Sequence, residues 1–364
     1  MKINASQMAV IMHPAISSTA LLSAPAIIAR HADRDMWLSP LWGSLIGMLS
    51  VYIACRLNRL YPSETAIQYY ERILGKFAGK LLGLVFLMFL LHITGIIIRQ
   101  YGEFVVSTFL TETPIVVIIV SMMIVCAYAV RCGLETIARS AQIIVPVVGL
   151  LFIVIVAMLI PDMKVTKLLP MLENGLWPSL KGALFPAAWF SEFTLVSFLL
   201  PHISDRQHAW KWGLASVVSV SFIFILTAAS SLMLFGGITS ALPYPVLLLA
   251  RYISLADFLS HVESIVMAIW VAGLFIKITF FYYILAAGTA QWLDMTDHRP
   301  LVMPLALLLV VFSLWSGKSF GEISLFLATA APFYVMLMLV LVPLLLLAIA
   351  LLRKHFAAGK GVPE

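Results

Sequence analysis

Phe185-Pro186-Ala187-Ala188-Trp189-Phe190-Ser191-Glu192 is the stretch on which the fold turns. It places a proline and then a carboxylate inside an otherwise apolar run at residues 180–200. A proline in a helix interior removes a backbone hydrogen bond and clashes one turn back. A carboxylate at membrane depth must be neutral, paired or facing water. The run therefore reads as an interrupted membrane helix. A counterpart lies near the start of the chain, where His13-Pro14 is followed by the small polar run Ser17-Ser18-Thr19-Ala20. Both apolar runs end at a proline, Pro25 and Pro201.

Working outward, the whole chain has the composition of a membrane protein. Of 364 residues, 62% are hydrophobic and 11% charged, and the mean hydropathy is +1.04. A soluble domain carries roughly 25% charged residues, so a water-soluble fold is excluded. The net charge of +6 does not make a nucleic-acid binder, because Lys and Arg are scattered between apolar blocks and form no stripe. A bilayer core of about 30 Å needs about 20 apolar residues per helix. Ten runs qualify, at residues 8–29, 38–55, 81–110, 115–130, 143–160, 180–200, 213–235, 258–288, 301–315 and 324–352. Continuous apolar runs favour helices over a barrel, whose strands would alternate. The expectation is one ten-helix domain over residues 1–364, with halves at about 8–160 and 180–352. The first run has only Lys2 ahead of it and reads as a retained helix rather than a cleaved signal. Loop Lys and Arg split fourteen to seven in favour of the side holding both termini, which places the termini in the cytoplasm.

The interrupted runs are the first and the sixth, corresponding members of two five-helix halves. Matching interruptions in two halves point to an inverted-repeat transporter site. Few other ionisable residues reach membrane depth. Glu192 lies about midway through the sixth run. It reads either as a proton- or ligand-sensing acid beside the break, or as a structural acid bonded to a cation or to freed N–H groups. Lys277 lies in the eighth run, and a structural pair with Glu192 is its favoured reading; the alternatives are a tethered cation in an ion site, or snorkelling. Thr279 and Tyr283 stand four apart and share a helix face. Arg99 and Glu103, also four apart, read as a structural pair. Glu263, one and a half turns beyond Asp257, reads as a capping or gate residue at the outer end of the eighth run.

No phosphate-cradling loop, HExxH or GxSxG motif occurs, so no catalytic residue, cofactor or enzyme activity is expected. Cys55, Cys126 and Cys132 are an odd number without CxxC spacing, which argues against disulfides and a metal site.

The order of short motifs carries a resemblance. Ser23-Ala24-Pro25 precedes Asp35-Met36-Trp37-Leu38-Ser39, Tyr61-Pro62 and Ile73-Leu74-Gly75-Lys76. Arg99, Glu103, Thr113-Pro114 and Gly133-Leu134-Glu135-Thr136-Ile137-Ala138-Arg139 follow. Then come Trp189-Phe190-Ser191-Glu192-Phe193, Tyr244-Pro245, Arg251, Phe258, Val262-Glu263, Trp270 and Phe275-Ile276-Lys277-Ile278-Thr279. In this order the chain resembles the B subunits of endospore germinant receptors, the spore-germination permease family of the amino acid–polyamine–organocation superfamily. The resemblance implies an all-α membrane fold of the LeuT type: ten helices in a 5+5 inverted repeat, with helices one and six broken. It also implies a small germinant, usually an amino acid, and residence in the spore inner membrane. Its implied partners are an A-type membrane subunit and a C-type lipoprotein subunit. Many relatives carry glycine at the position of Ser18.

On this reading the germinant carboxylate meets N–H groups at a break of helix one, Ser17, Ser18, Thr19 and Ala20. Its ammonium meets carbonyls of helix six near Ala187, Phe190 and Ser191. Thr94, Thr279 and Tyr283 adjust specificity, and Glu192 and Lys277 serve as a coupling or structural pair. The rival function is a proton-coupled amino-acid symporter; a third is a water or ion channel.

Overall fold

The computed structural model describes residues 2–253, 262–317 and 319–358. Asp257, Phe258, Ser260 and His261 fall outside them. Helices dominate: α1 Ala5–Ala32, α2 Ser39–Leu60, α3 Ala66–Leu74, α4 Lys76–Thr108, α5 Ile115–Cys132, α6 Leu134–Leu159 and α7 Trp177–Ser191. After these come α8 Ala209–Phe235, α9 Pro245–Tyr252, α10 Val262–Trp292, α11 Arg299–Trp315, α12 Phe320–Ala328, α13 Ala331–Met336 and α14 Val342–Ala358. Among the described residues eight spans are long and apolar enough to cross a bilayer, or nine if α11 and α12, bent by 91°, count as one. The expected ten is not confirmed. The sixth run falls short because α7 has only 15 residues before it tightens into a 3₁₀ turn, Glu192–Phe198.

Two groups of helices organise the packing. In one, α1 and α2 pack against α7 and α8; in the other, α4 and α10 pack against α5 and α11. Within the α1 span, 89% of the most apolar window is buried, against 22% for α6. So α1 runs through the protein interior, while α6 turns most of its surface to lipid. Exposed Leu150, Ile153 and Val154 on α6 need no other partner there.

The expected break in helix one is not formed. α1 is a continuous α-helix of 28 residues with Pro14 and Pro25 inside it, and Ser17–Ala20 lie in regular helix. The physical reason lies in the packing. Pro14 leaves only the Val10 carbonyl without its helical donor, and the α1 span is largely enclosed by neighbouring helices, so one missing bond does not break it. Hydroxyls fasten the same region: Ser216 of α8 donates to the Ala9 carbonyl at 2.9 Å, and Ser17 donates to the His13 carbonyl at 2.8 Å. In the sixth run Pro186 also sits within regular helix, and the backbone changes only at Glu192. The interruption there is a tightening downstream of the proline.

The tenth run, expected as one helix, is divided. α12 stops at Ala328, α13 begins at Ala331 with Pro332 in its first turn, and a π turn occupies Leu337–Leu341. Proline suits a helix start because its missing N–H has no partner there anyway. Thr194, in the 3₁₀ turn after α7, donates to the Leu339 carbonyl at 2.5 Å. The irregular parts of the sixth and tenth runs thus satisfy each other.

Both ends of the α1 and α7 spans are tied together. The Ile3 N–H donates to the His202 carbonyl at 3.0 Å, and the Ser204 N–H to the Ile3 carbonyl at 2.9 Å. Asp205 Oδ1 accepts from the Ala5 N–H at 2.7 Å. At the opposite end Asp35 Oδ1 accepts from the Leu172 N–H at 2.9 Å. These ties couple the two spans as one body.

The corner between α3 and α4 is held by close approach. A Cβ at Gly79 would stand 2.4 Å from Glu71 Cα, in backbone that cannot swing aside. Gly79→Ala is therefore expected to cost about 1–3 kcal/mol, the usual range for overpacking. A thermal melt of the purified protein in detergent reads this; an unchanged melting temperature would mean that α3 is not seated on α4.

Candidate functional site

Helix periodicity decides which residues meet at the centre. Lys277 and Thr279 are two apart on α10, so their side chains point about 200° apart. Lys277 turns inward, and its Nζ lies 2.8 Å from Glu192 Oε2. The ammonium also stands 5.2 Å from the Phe281 ring centroid. Side-chain exposure is 0% for Lys277 and 6% for Glu192, so the pair is isolated from bulk water. It bridges the two helix groups, α7 on one side and α10 on the other. The carboxylate sits at the first residue of the 3₁₀ turn.

Glu192 also walls a cavity of about 30 Å³. Thr19 from α1, Gln100 from α4, and Phe185, Ala188 and Trp189 from α7 surround it. Leu327, Ala331 and Pro332 of the divided tenth run close it. At about 10–15 Å³ per water, the space holds two or three waters, and even the smallest amino acid is larger. The polar side chains lining the cavity are those of Thr19, Gln100, Trp189 and Glu192, set among apolar and aromatic walls.

A second cavity of about 50 Å³ lies on another face of α1, between α6, α8 and α10. His13, Ser17 and Ser18 border it, with Trp270 and Gly273 opposite. Ser18 packs so near Gly273 that a Cβ there would meet its Oγ at 2.6 Å.

The structure therefore separates the residues singled out from the sequence. Thr19 and Glu192 meet at the central cavity, while Ser17 and Ser18 face the second one. Ala20 is buried and lines neither of these cavities. Thr94 donates back to the Leu90 carbonyl at 2.6 Å within its own helix. Ser191 likewise donates to the Ala188 carbonyl at 2.5 Å. Ala187 packs beside Gly43 of α2. Phe190 packs against Phe193 and Phe224, at ring distances of 6.3 and 5.4 Å. Thr279 turns toward Cys126 of α5. Tyr283 stands edge-on to His298, 5.4 Å away, before α11. Arg99 pairs with Glu103 at 2.6 Å, and Glu263 with Arg251 at 2.5 Å.

Gln100, Phe185 and the wall from the tenth run lie outside the residues expected at the site, whereas Ala188 and Trp189 fall within the expected stretch of helix six. A signal for Gln100 existed: with Ile93, Ile96 and Ile97 it follows helical spacing on one face of α4. The wall had none, since Leu327 and Pro332 look like ordinary apolar helix residues.

A family described as Spore germination protein matches residues 2–321. The chain belongs to this spore germination family. Curated relatives agree. The chain is 25% identical to spore germination protein KB of Bacillus subtilis (strain 168) over 300 residues, covering 80% of this chain and 79% of that one. It is 26% identical to spore germination protein YndE of the same organism over 318 residues, covering 86% of each. Spore germination protein XB of Bacillus anthracis is 25% identical over 274 residues, covering 74% of this chain and 77% of its own. Among solved structures, a Na⁺-coupled sialic acid symporter aligns with a TM-score of 0.63 at 13% identity, over 93% of this chain and 79% of that chain. A manganese transporter from Eremococcus coleocola aligns with a TM-score of 0.59 at 13% identity, over 94% and 78%. The family member described here thus has the LeuT-type transporter fold and is an integral membrane protein.

Proposed function

We propose that this chain is the ligand-sensing membrane subunit of a germinant receptor. It would sit in the spore inner membrane with both termini on the core side. It would take a small amino-acid-like germinant and signal to an A-type membrane subunit and a C-type lipoprotein subunit, without catalysing a reaction.

The observation that carries this reading is the Glu192–Lys277 pair, which fastens one helix group to the other at the wall of the central cavity. A germinant ammonium entering beside Glu192 competes with Lys277 for the same carboxylate. The germinant carboxylate then finds donors in the Thr19 hydroxyl and the Gln100 amide. Backbone N–H groups of helix one take no part, because residues 17–20 lie in regular helix. Competition loosens the link between the groups, and the cavity widens by displacement of α12 and α13. Binding shifts the two packings only by its difference in affinity for them. About 1–3 kcal/mol is typical of such coupling.

The transporter-like fold keeps a symporter as the second reading. Uptake by proteoliposomes separates them. The receptor reading expects saturable amino-acid binding and no accumulation under an inward proton gradient. Concentrative, gradient-driven uptake would replace it with the symporter.

A further inference from the structure

Where α2 ends and α8 begins, at the ends of two apolar spans, lies an open cleft of about 350 Å³. Arg59, Arg206, Asn58, Gln207 and Trp210 line it, and no lining residue is acidic. Arg206 is pinned in place: its Nη1 and Nη2 donate to the Pro62 and Pro201 carbonyls, each at 2.7 Å. Beside the cleft, Arg56 lies 5.9 Å over the Tyr52 ring, and Tyr52 meets Trp210 edge-on at 6.1 Å. Lys211 and Trp212 are exposed on the adjoining turn of α8.

The charge here is unbalanced. Arg34, Arg72, Lys80, Arg99, Arg139, Arg251 and Lys277 each face a carboxylate. Among the described residues Arg56, Arg59, Arg206 and Lys211 form no such pair; Arg30, Arg131 and Lys164 are likewise unpaired, but here two arginines line one cleft that holds no acid. The acid next in sequence, Asp205, is engaged by the Ala5 N–H and by His208 at 3.7 Å. Tryptophan and tyrosine rings beside unpaired arginines, at the depth where a helix leaves the bilayer, match the headgroup region of a lipid. Basic pockets between membrane helices at that level suit phosphate-bearing headgroups.

The geometry points to a binding site for an anionic phosphodiester, the headgroup of an anionic phospholipid, between α2 and α8. The phosphate oxygens accept from Arg59 and from the remaining N–H groups of Arg206, and Asn58 and Gln207 hold the polar headgroup. The acyl chains run down the exposed apolar flank of α8, past Val218 and Phe222.

The test uses the full-length protein in nanodiscs of equimolar phosphatidylglycerol and phosphatidylcholine, with retained lipid counted by native mass spectrometry. The expected result is preferential retention of phosphatidylglycerol. Arg59→Gln lowers that retention roughly fivefold, the usual weight of one arginine at a charged membrane surface. Lys181→Gln, at the opposite end of the α7 span, leaves it unchanged. Arg59 is the residue to change because Arg206 also holds two loop carbonyls. A second arm adds glycerol phosphate at millimolar concentration, which is expected not to displace the lipid. Equal retention of the two lipids, undiminished retention by Arg59→Gln, or displacement by soluble glycerol phosphate would each overturn the assignment.

Discussion

Lys277→Met is expected to destabilise the folded protein by about 3–5 kcal/mol, the cost of leaving a buried charge without its partner. The Lys277 side chain has 0% exposure and reaches Glu192 at 2.8 Å. With the ammonium gone, the carboxylate is left without a counter-charge and away from bulk water, and no other cation is paired with it among the described residues. Replacing both members together is a different matter. A buried pair contributes little net stability over apolar residues of similar volume, because desolvation offsets its attraction. The double variant Glu192→Gln with Lys277→Met is therefore expected to recover most of the lost stability. Melting temperatures in detergent, with yields of folded protein, give the comparison. If the double variant melted as low as Lys277→Met, the loss would come from packing around α10 rather than from an orphaned charge.

The second large effect concerns the cavity. Ala188 points into a space of about 30 Å³ bounded by Thr19, Gln100 and Glu192. In Ala188→Trp the indole is far larger than that space, so it overfills it and displaces α13. Spores carrying this variant as their only receptor of this type are expected to lose the response to germinant. Overpacking by a few methylenes costs about 1–3 kcal/mol and an indole more, so the smaller Ala188→Leu is expected to weaken the response with the protein retained in the membrane. Loss of optical density after germinant addition reads the response, and immunoblotting of the inner membrane reads the amount of protein. A full response from Ala188→Trp at normal protein level would place the germinant elsewhere.

Much of this arrangement was legible in the sequence. Lipid thickness fixes the length of an apolar run, so most spans followed from hydropathy. Two charges embedded in apolar helices, Glu192 and Lys277, marked the centre although 85 residues separate them. The rest depended on contacts that no local pattern carries. Pro14 looked like a breaker because the helices that enclose α1 are remote in sequence; Ser216 of α8, which donates to the Ala9 carbonyl, lies 207 residues away. Thr279 and Tyr283 share a face, but that face is set by Lys277, and an inward lysine turns both toward α5 and α11. The division of the tenth run at Pro332 required seeing that proline as a helix start rather than an interior residue.

Equilibrium binding of a radiolabelled germinant amino acid to the assembled receptor tests the central claim most directly. Wild type, Ala188→Trp and Thr279→Val would be compared. The cavity beside Glu192 as the ligand site requires that Ala188→Trp abolish saturable binding while Thr279→Val binds like wild type. Wild-type affinity in Ala188→Trp, with binding lost in Thr279→Val, would contradict it.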